Sequence, residues 1–341
     1  MLWAQLCLLC SALWPLAGRT HVGSTSMTLW VPRFRAHRPL LALTHMCLLQ
    51  SLAGSKPLPP FVYQEHLSTK TTYESRRGFA NFDTQATPHR TQTVFTYWLT
   101  RHGTRWPTKK RMNQIDRLQN VFQSAGHNAK QLYPWIAGWT SPFKSQEHLA
   151  GLLHSKGRVE MRDMGVEFRQ HYSQSSIQHI LSSVHVLATA KGRTQDSAKA
   201  FMEGLCGGTH TYTDQAGAAG ITGHDRHVAI TGPGVQGKYT IHAKPKDQDP
   251  VLRFFDMCPA YDAYVTQINN DILDRWALQQ WASLIPTLAH RLQLEEGSLT
   301  GQQVDALWHL CQQEAGLWGV THRACALFPP QACSLLLFLR T

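Results

Sequence analysis

Arg101-His102-Gly103-Thr104-Arg105-Trp106-Pro107 sets one imidazole between two guanidiniums, directly after the apolar run Val94–Leu99 that reads as a strand. Five fixed positions of the form RHGxRxP arise at random in a chain of this length on the order of once in ten thousand sequences. A phosphate ester repels an incoming nucleophile. Planar guanidiniums offset that repulsion by gripping the non-bridging oxygens two at a time, a task that suits Arg101 and Arg105. Neighbouring positive charge disfavours imidazolium, so His102 stays neutral and its ring nitrogen can attack phosphorus. Gly103 lets the backbone turn and approach a ligand, and Pro107 fixes the exit from the loop. A solvated basic loop would explain any one of these residues, but not all of them together.

The surroundings place this loop in an α/β frame. Behind it, Met112, Ile115, Leu118 and Phe122 recur at helical spacing from residue 109 to about 124, so a strand hands over to a helix. Such junctions are where open α/β folds hold their ligands, and helix amides add positive potential there. Residues 127–154, rich in Trp, Pro and Gly, read as irregular, and Ser155 reads as the N-cap of a helix through Met161, Met164 and Phe168. Val184–Ala188 then repeats the strand pattern, Thr189–Arg193 makes a short polar loop, and Asp196–Leu205 returns to helix. Arg193 therefore stands at the mouth of a second strand, although a surface arginine with no partner would look the same.

Residues 206–250, rich in Gly, Thr, Asp, His and Pro, read as loops. Helical patterns occupy Cys258 to about Leu294 and Gln302–Leu317, the latter opened by a capping box of Thr300 and Gln303. The fold expected is a central sheet flanked by helices, incomplete towards the C-terminus, with a mainly helical cap. Its divisions are a targeting region over 1–53, an α/β core over 54–205, loops and cap over 206–328, and a divergent ending over 329–341.

The chain of 341 residues is 43% apolar, enough for a substantial core and against disorder. Lys and Arg number 33 against 22 Asp and Glu, and the net charge of +11 favours anionic partners. Nucleic acid is not expected, because no helical basic face or series of stacking aromatics emerges. The cations gather at the motif instead, in Arg101, Arg105, Lys109, Lys110, Arg111 and Arg117. Among Cys206, Cys258, Cys311, Cys325 and Cys333 no pair has CxxC spacing, so no zinc site is expected.

Near the N-terminus, Leu2, Leu6, Leu8, Leu9, Leu13 and Leu16 form an apolar run of signal-sequence length, without a preceding Lys or Arg. A second candidate has Arg33, Arg35 and Arg38 before apolar Leu40–Leu49, with Ser51-Leu52-Ala53 as a cleavage site. Either predicts entry to the secretory pathway, with the endoplasmic reticulum lumen, secretion or membrane association through the apolar segment as destinations.

RHGTRWP resembles the signature of the histidine phosphatase superfamily, in its acid-phosphatase and phytase branch, and the surrounding residues resemble the inositol polyphosphate phosphatase type. The resemblance runs from about Thr69 to Phe328. It includes Thr69-Lys70-Thr71 with Tyr73-Glu74, Lys156-Gly157-Arg158 with Met161, Lys191-x-Arg193 with Ser197 and Phe201, and Gly204-Leu205. Further on come Arg253-Phe254-Phe255-Asp256-x-Cys258, Leu307-Trp308-x-Leu310-Cys311, Gly319-Val320 and Cys325-x-Leu327-Phe328. Each is weak alone, and their order carries the weight. The resemblance implies an α/β core under a helical cap, a nucleophilic His102, and phosphate binding by Arg101, Arg105 and Arg193. It implies no metal or cofactor, and makes Cys258, Cys311 and Cys325 the expected disulfide partners.

Attack by histidine is half a reaction, because the departing alkoxide needs a positioned acid. The family takes that acid from a His-Ala-Glu motif, and this chain contains no such tripeptide. His224-Asp225 looks superficially similar but precedes the RFFD segment, so Asp225 is not expected to be the donor. The reading is a truncated or variant phosphomonoester hydrolase of impaired turnover, acting on inositol polyphosphates and on 2,3-bisphosphoglycerate as a second candidate. The alternative is a non-catalytic polyphosphate-binding form. A phosphoglycerate-mutase-type enzyme is disfavoured by the signal-like start and the helical cap.

Overall fold

Alternation of side chains decides where the sheet forms. In the computed structural model, Val228 and Ile230 are buried in one strand and Tyr239, Ile241 and Ala243 in the next, at the two-residue period of a half-buried strand. The structure describes residues 62–63, 67, 70–71, 73–76, 95–170, 177–213, 224–232, 235–268 and 274–330, so the signal-like stretches and the ending after Pro330 lie outside the described residues. The strands are β1 (Val186–Thr189), β2 (Thr209–Tyr212), β3 (Arg226–Gly232) and β4 (Val235–Lys244). They form a four-stranded sheet in the order β1-β4-β3-β2. β1 runs parallel to β4, with Val186 opposite Ile241, and the other pairs are antiparallel.

The helices are α1 (Tyr73–Arg76), α2 (Lys109–Asp116), α3 (Leu118–Ser124), α4 (His127–Leu132) and α5 (Ser155–Gln170), then α6 (Ile177–Ser183) and α7 (Gly192–Cys206). After the sheet come α8 (Pro259–Ile268), α9 (Asp274–Leu292) and α10 (Gly301–Trp318). None of the helices among the described residues is long and apolar enough to cross a membrane. Two apolar clusters result. One joins the sheet to α7 through Ala188, Met202, Leu205, Ile230 and Ile241; the other is helical and includes Met112, Phe122, Leu288, Leu307 and Phe328. Close approach of α5 to α7 depends on glycine: a Cβ on Gly204 would lie 1.9 Å from the Arg162 carbonyl oxygen, and one on Gly165 would lie 2.1 Å from that of Phe201.

Several expectations are corrected. Residues 95–100 form no strand, and Phe95, Tyr97 and Leu99 are 79%, 63% and 70% exposed, because no described strand runs beside them to take their hydrogen bonds. Trp98 is anchored, its ring 4.8 Å from Phe168 and 5.7 Å from Phe201. The helix expected over 109–124 is broken at Arg117 into α2 and α3. Ser155 is the first residue of α5, and the His154 imidazole caps it by accepting from the Lys156 amide at 3.2 Å. Residues 127–154 include α4 and two short 3-10 turns. The largest difference is 206–250, which contributes β2, β3 and β4; its polar composition reads as loop, but the alternating buried positions outweigh composition.

Other expectations are met. The Thr300 side chain accepts from the Gln303 amide while the Gln303 side chain accepts from the Thr300 amide at 2.7 Å, completing the capping box of α10. Cys311 on α10 is bridged to Cys325 as expected, whereas Cys258, expected as a third disulfide partner, is free, as is Cys206. Closing a loop of 14 residues in sequence separation is worth about 3 kcal/mol through the entropy removed from the unfolded chain. Cys325→Ala should therefore lower the urea-unfolding free energy by about that amount. An unchanged midpoint under both oxidising and reducing conditions would show that the bridge contributes nothing.

Candidate active site

The motif loop is held by neighbours rather than by a sheet. The Trp106 amide donates to the Leu152 carbonyl at 2.9 Å, the His154 amide to the Thr104 carbonyl at 3.0 Å, and the Gly151 amide to the Pro107 carbonyl at 3.0 Å. These bonds lay Thr104–Pro107 against the segment that enters α5. Glu160 on α5 then accepts from both the Thr104 amide (2.9 Å) and the Thr104 hydroxyl (3.0 Å). Ser197 on α7 ties in the other side, donating to the Arg193 carbonyl at 2.7 Å and accepting from the Gly103 amide at 3.1 Å. Glycine is required at the crossing: a Cβ on Gly103 would stand 2.2 Å from the Gly157 carbonyl oxygen, and one on Gly157 would stand 2.0 Å from that of Thr104.

His102 Nδ1 lies 2.8 Å from the Gly103 carbonyl oxygen. A carbonyl only accepts, so Nδ1 carries the proton and Nε2 carries the lone pair. Burial, partly opposed by that hydrogen bond, and then the charges of Arg193, Arg101 and Arg105 hold the imidazole down to about 4. The ring is therefore neutral at physiological pH. The same burial, with Arg193 and Arg101, lowers Arg105 to about 10. Arg105 Nη1 donates to the Trp106 carbonyl at 2.8 Å, but Arg105 Nε and Arg193 Nε are buried with no acceptor among the described residues. Buried donors aimed into a cationic cluster fit a tetrahedral oxyanion.

Arg101, Arg105 and Arg193 all lie near enough for their charges to lower the pKa of His102, and Arg193 sits in the first turn of α7 rather than in a loop. Asp225, the residue before β3, accepts from the Ala243 amide at 2.9 Å and from His242 Nδ1 at 2.8 Å. Burial works to raise its pKa, but the Ala243 and His242 hydrogen bonds outweigh that and lower it. A carboxylate so stabilised is a poor proton donor. Among the described residues no group of three or more His, Cys, Asp or Glu is placed to hold a metal ion.

Sequence reasoning missed Lys70 as part of this cluster. Its carbonyl lies 3.7 Å from the Cβ position of Gly316 on α10, and Gln312 of α10 donates to the Leu67 carbonyl at 3.2 Å, which docks this segment on α10. Burial, then Arg105, Arg101 and Arg193, bring the Lys70 ammonium down to about 7. A bound anion favours the protonated form, which in the free protein predominates below that value. Sulfate, whose charge is constant over this range, should raise the melting temperature more at pH 6 than at pH 9, and Lys70→Gln should flatten the difference. Equal stabilisation at both pH values would remove Lys70 from the anion site. Ser197 and Glu160 were also not assigned their bracing roles, and only their spacing relative to Arg193 and Gly157 signalled them.

The sequence model of the histidine phosphatase superfamily (branch 2) matches residues 95–333. Among curated proteins, multiple inositol polyphosphate phosphatase 1 of Homo sapiens is 22% identical over 255 residues, which is 71% of this chain and 47% of the human protein. Among solved structures, that of the phytase from D. castellii matches with a TM-score of 0.47 and 13% identity over 69% of this chain and 48% of the phytase. The chain spans about half the length of these relatives.

Proposed function

Because the chain belongs to branch 2 of the histidine phosphatase superfamily, with the match covering 95–333, we propose that it is a phosphomonoester hydrolase acting on inositol polyphosphates through a phosphohistidine at His102. The observation that carries this reading is a neutral imidazole whose Nε2 carries the lone pair and has no hydrogen bond among the described residues, under the charges of Arg101, Arg105 and Arg193. Nε2 attacks phosphorus, the bond from phosphorus to the ester oxygen breaks, and the departing alkoxide takes its proton from solvent water; a second water then attacks the phosphohistidine, breaking the bond from phosphorus to Nε2, and gives up its proton to solvent as inorganic phosphate leaves. The guanidiniums lower the barrier by holding the equatorial oxygens as charge shifts between them. The similarity to an inositol polyphosphate phosphatase supports the substrate class.

Turnover is slow in this reading, since the chain has no His-Ala-Glu tripeptide and Asp225 is a stabilised carboxylate. Those same features favour the second reading, a polyphosphate-binding protein that does not turn over. A secretory-pathway location remains part of the proposal and is carried by the N-terminal sequence alone. A rapid-quench experiment with inositol hexakisphosphate in the presence of a chelator decides between the two. Hydrolysis predicts a quenched phosphohistidine at His102 and release of inorganic phosphate, both lost in His102→Ala. Tight binding without any label would leave the second reading in its place, and no binding would sink both.

A further inference from the structure

Helix α10 ends at Gly319, whose φ of +70° is left-handed backbone that glycine adopts without strain. The chain turns back there, the Cys311–Cys325 bridge pins the returning segment to the helix, and Arg323 Nη1 comes to lie 4.0 Å from Glu314 Oε1. These residues help to line a cavity of about 370 Å³, a size within the range of about 300–1,000 Å³ common for small-molecule sites. Its lining includes three indoles, Trp135, Trp139 and Trp318, and the polar side chains of Thr140, Glu314 and Arg323. The indoles are held by other rings: Phe122 lies 5.1 Å from Trp135 and 4.8 Å from Trp139, and Phe143 stacks on Trp318 at 5.7 Å. Lys70, Arg101, His102, Arg105 and Arg193 are not in the lining, so this cavity is separate from the cationic cluster.

Glu314 is only 2% exposed, a costly place for a carboxylate. Its Oε2 accepts from the Ala324 amide at 3.2 Å, but the 4.0 Å from Oε1 to Arg323 is too long for a hydrogen bond. Burial raises the Glu314 pKa, and the Ala324 amide and then Arg323 only partly oppose it, so the carboxylate is short of donors. A gap of that length lets one oxygen reach both groups, and a hydroxyl can donate to the carboxylate while accepting from the guanidinium. Water would fill the gap but leave the aromatic walls uncovered. The one carboxylate and the one guanidinium cancel in charge, so the lining favours a neutral ligand. Three indoles favour one with a flat apolar face. A pyranose ring combines a C–H face with a rim of hydroxyls. We propose that this cavity binds a neutral pyranose sugar, its C–H face against the tryptophans and its hydroxyls bridging Glu314 and Arg323. Binding of this kind needs no phosphate chemistry at His102.

The probe is methyl β-D-glucopyranoside, whose ring substituents are all equatorial and leave both faces flat. Binding to the full chain is read by saturation-transfer NMR and by tryptophan fluorescence. The glucoside should bind saturably, with transfer strongest to its ring C–H protons. Arg323→Gln should weaken it on the order of tenfold, the worth of a hydrogen bond to a charged group. The Arg323 side chain is 48% exposed, so this variant leaves the core intact. Trp318→Leu, which keeps apolar bulk and removes a flat ring, should weaken binding as well. Unchanged affinity in either variant, or no saturable binding by the native chain, overturns the site. Tighter binding of cyclohexylammonium or cyclohexanecarboxylate than of the glucoside also overturns it, since the cavity would then select an ion. Competition by inorganic sulfate would place the sugar among the arginines around His102 and overturn it too.

Discussion

His102→Ala should abolish phosphoryl transfer, with a fall in labelling rate on the order of a thousandfold or more, because it removes the neutral imidazole on which Arg101, Arg105 and Arg193 act. Polyanion binding should survive, since Arg101, Arg105 and Arg193 remain. The pH profile of the native chain gives a second handle on the same group. Folding depresses the imidazole from 6.5 to about 4, so the attacking form predominates above that value, and at saturating substrate, where Lys70 no longer sets occupancy, labelling should be level from pH 5 to 8 and decline as pH approaches 4. Stability moves with it. Between 6.5 and about 4 the unfolded chain accepts a proton that the folded site refuses, so His102 costs the fold stability as pH falls through that window. His309 on α10, lowered to about 4 chiefly by burial and opposed by Asp305, adds to the same trend. Labelling of a His102→Ala protein at the native rate, seen by intact mass after quenching, would assign the chemistry to another residue.

Gly157→Ala should be the most damaging single methyl group near the site. The added carbon would lie 2.0 Å from the Thr104 oxygen and 2.4 Å from its nitrogen, both backbone atoms with no rotamer by which to escape. Alanine favours a helix over glycine by about 1 kcal/mol, and that gain opposes the clash. Overpacking of backbone against backbone exceeds it, at about 3 kcal/mol net, which for a domain of this size lowers the melting temperature by roughly 6–12 °C. Labelling of His102 should fall as well, since the same contact sets Gly103 and Thr104 in place. A variant melting within a degree of the native chain, with labelling intact, would show that α5 and the loop can separate at no cost.

The centre of the site was legible because its chemistry is contiguous: imidazole and two guanidiniums lie within Arg101–Arg105, and the strand-then-helix echo pointed to Arg193. The cause of the low imidazole pKa was only half legible. Neighbouring charge can be read from adjacency, but burial, the larger effect, depends on what packs over the ring. Lys70 was quoted within a motif and given no role, because its place beside Arg105 follows from docking on α10, more than two hundred residues later in the chain. The apolar residues 95–99 carry strand composition, yet a strand exists only with a partner, and none of the described strands lies beside them. The opposite error at 206–250 has the same root. Its Gly, Thr and His content is loop-like, while Val228, Ile230, Tyr239 and Ile241 sort to one face only once they are paired.

The Gly103 amide meets the Ser197 hydroxyl across 94 residues of chain. A loop shaped by so distant a partner cannot take its form early in folding, since the intervening span must first be closed at an entropic cost that local turns do not carry. During synthesis the nucleophile's segment emerges long before the helix that braces it. Its ability to take up an anion should therefore arrive abruptly, as α7 docks, rather than growing with chain length.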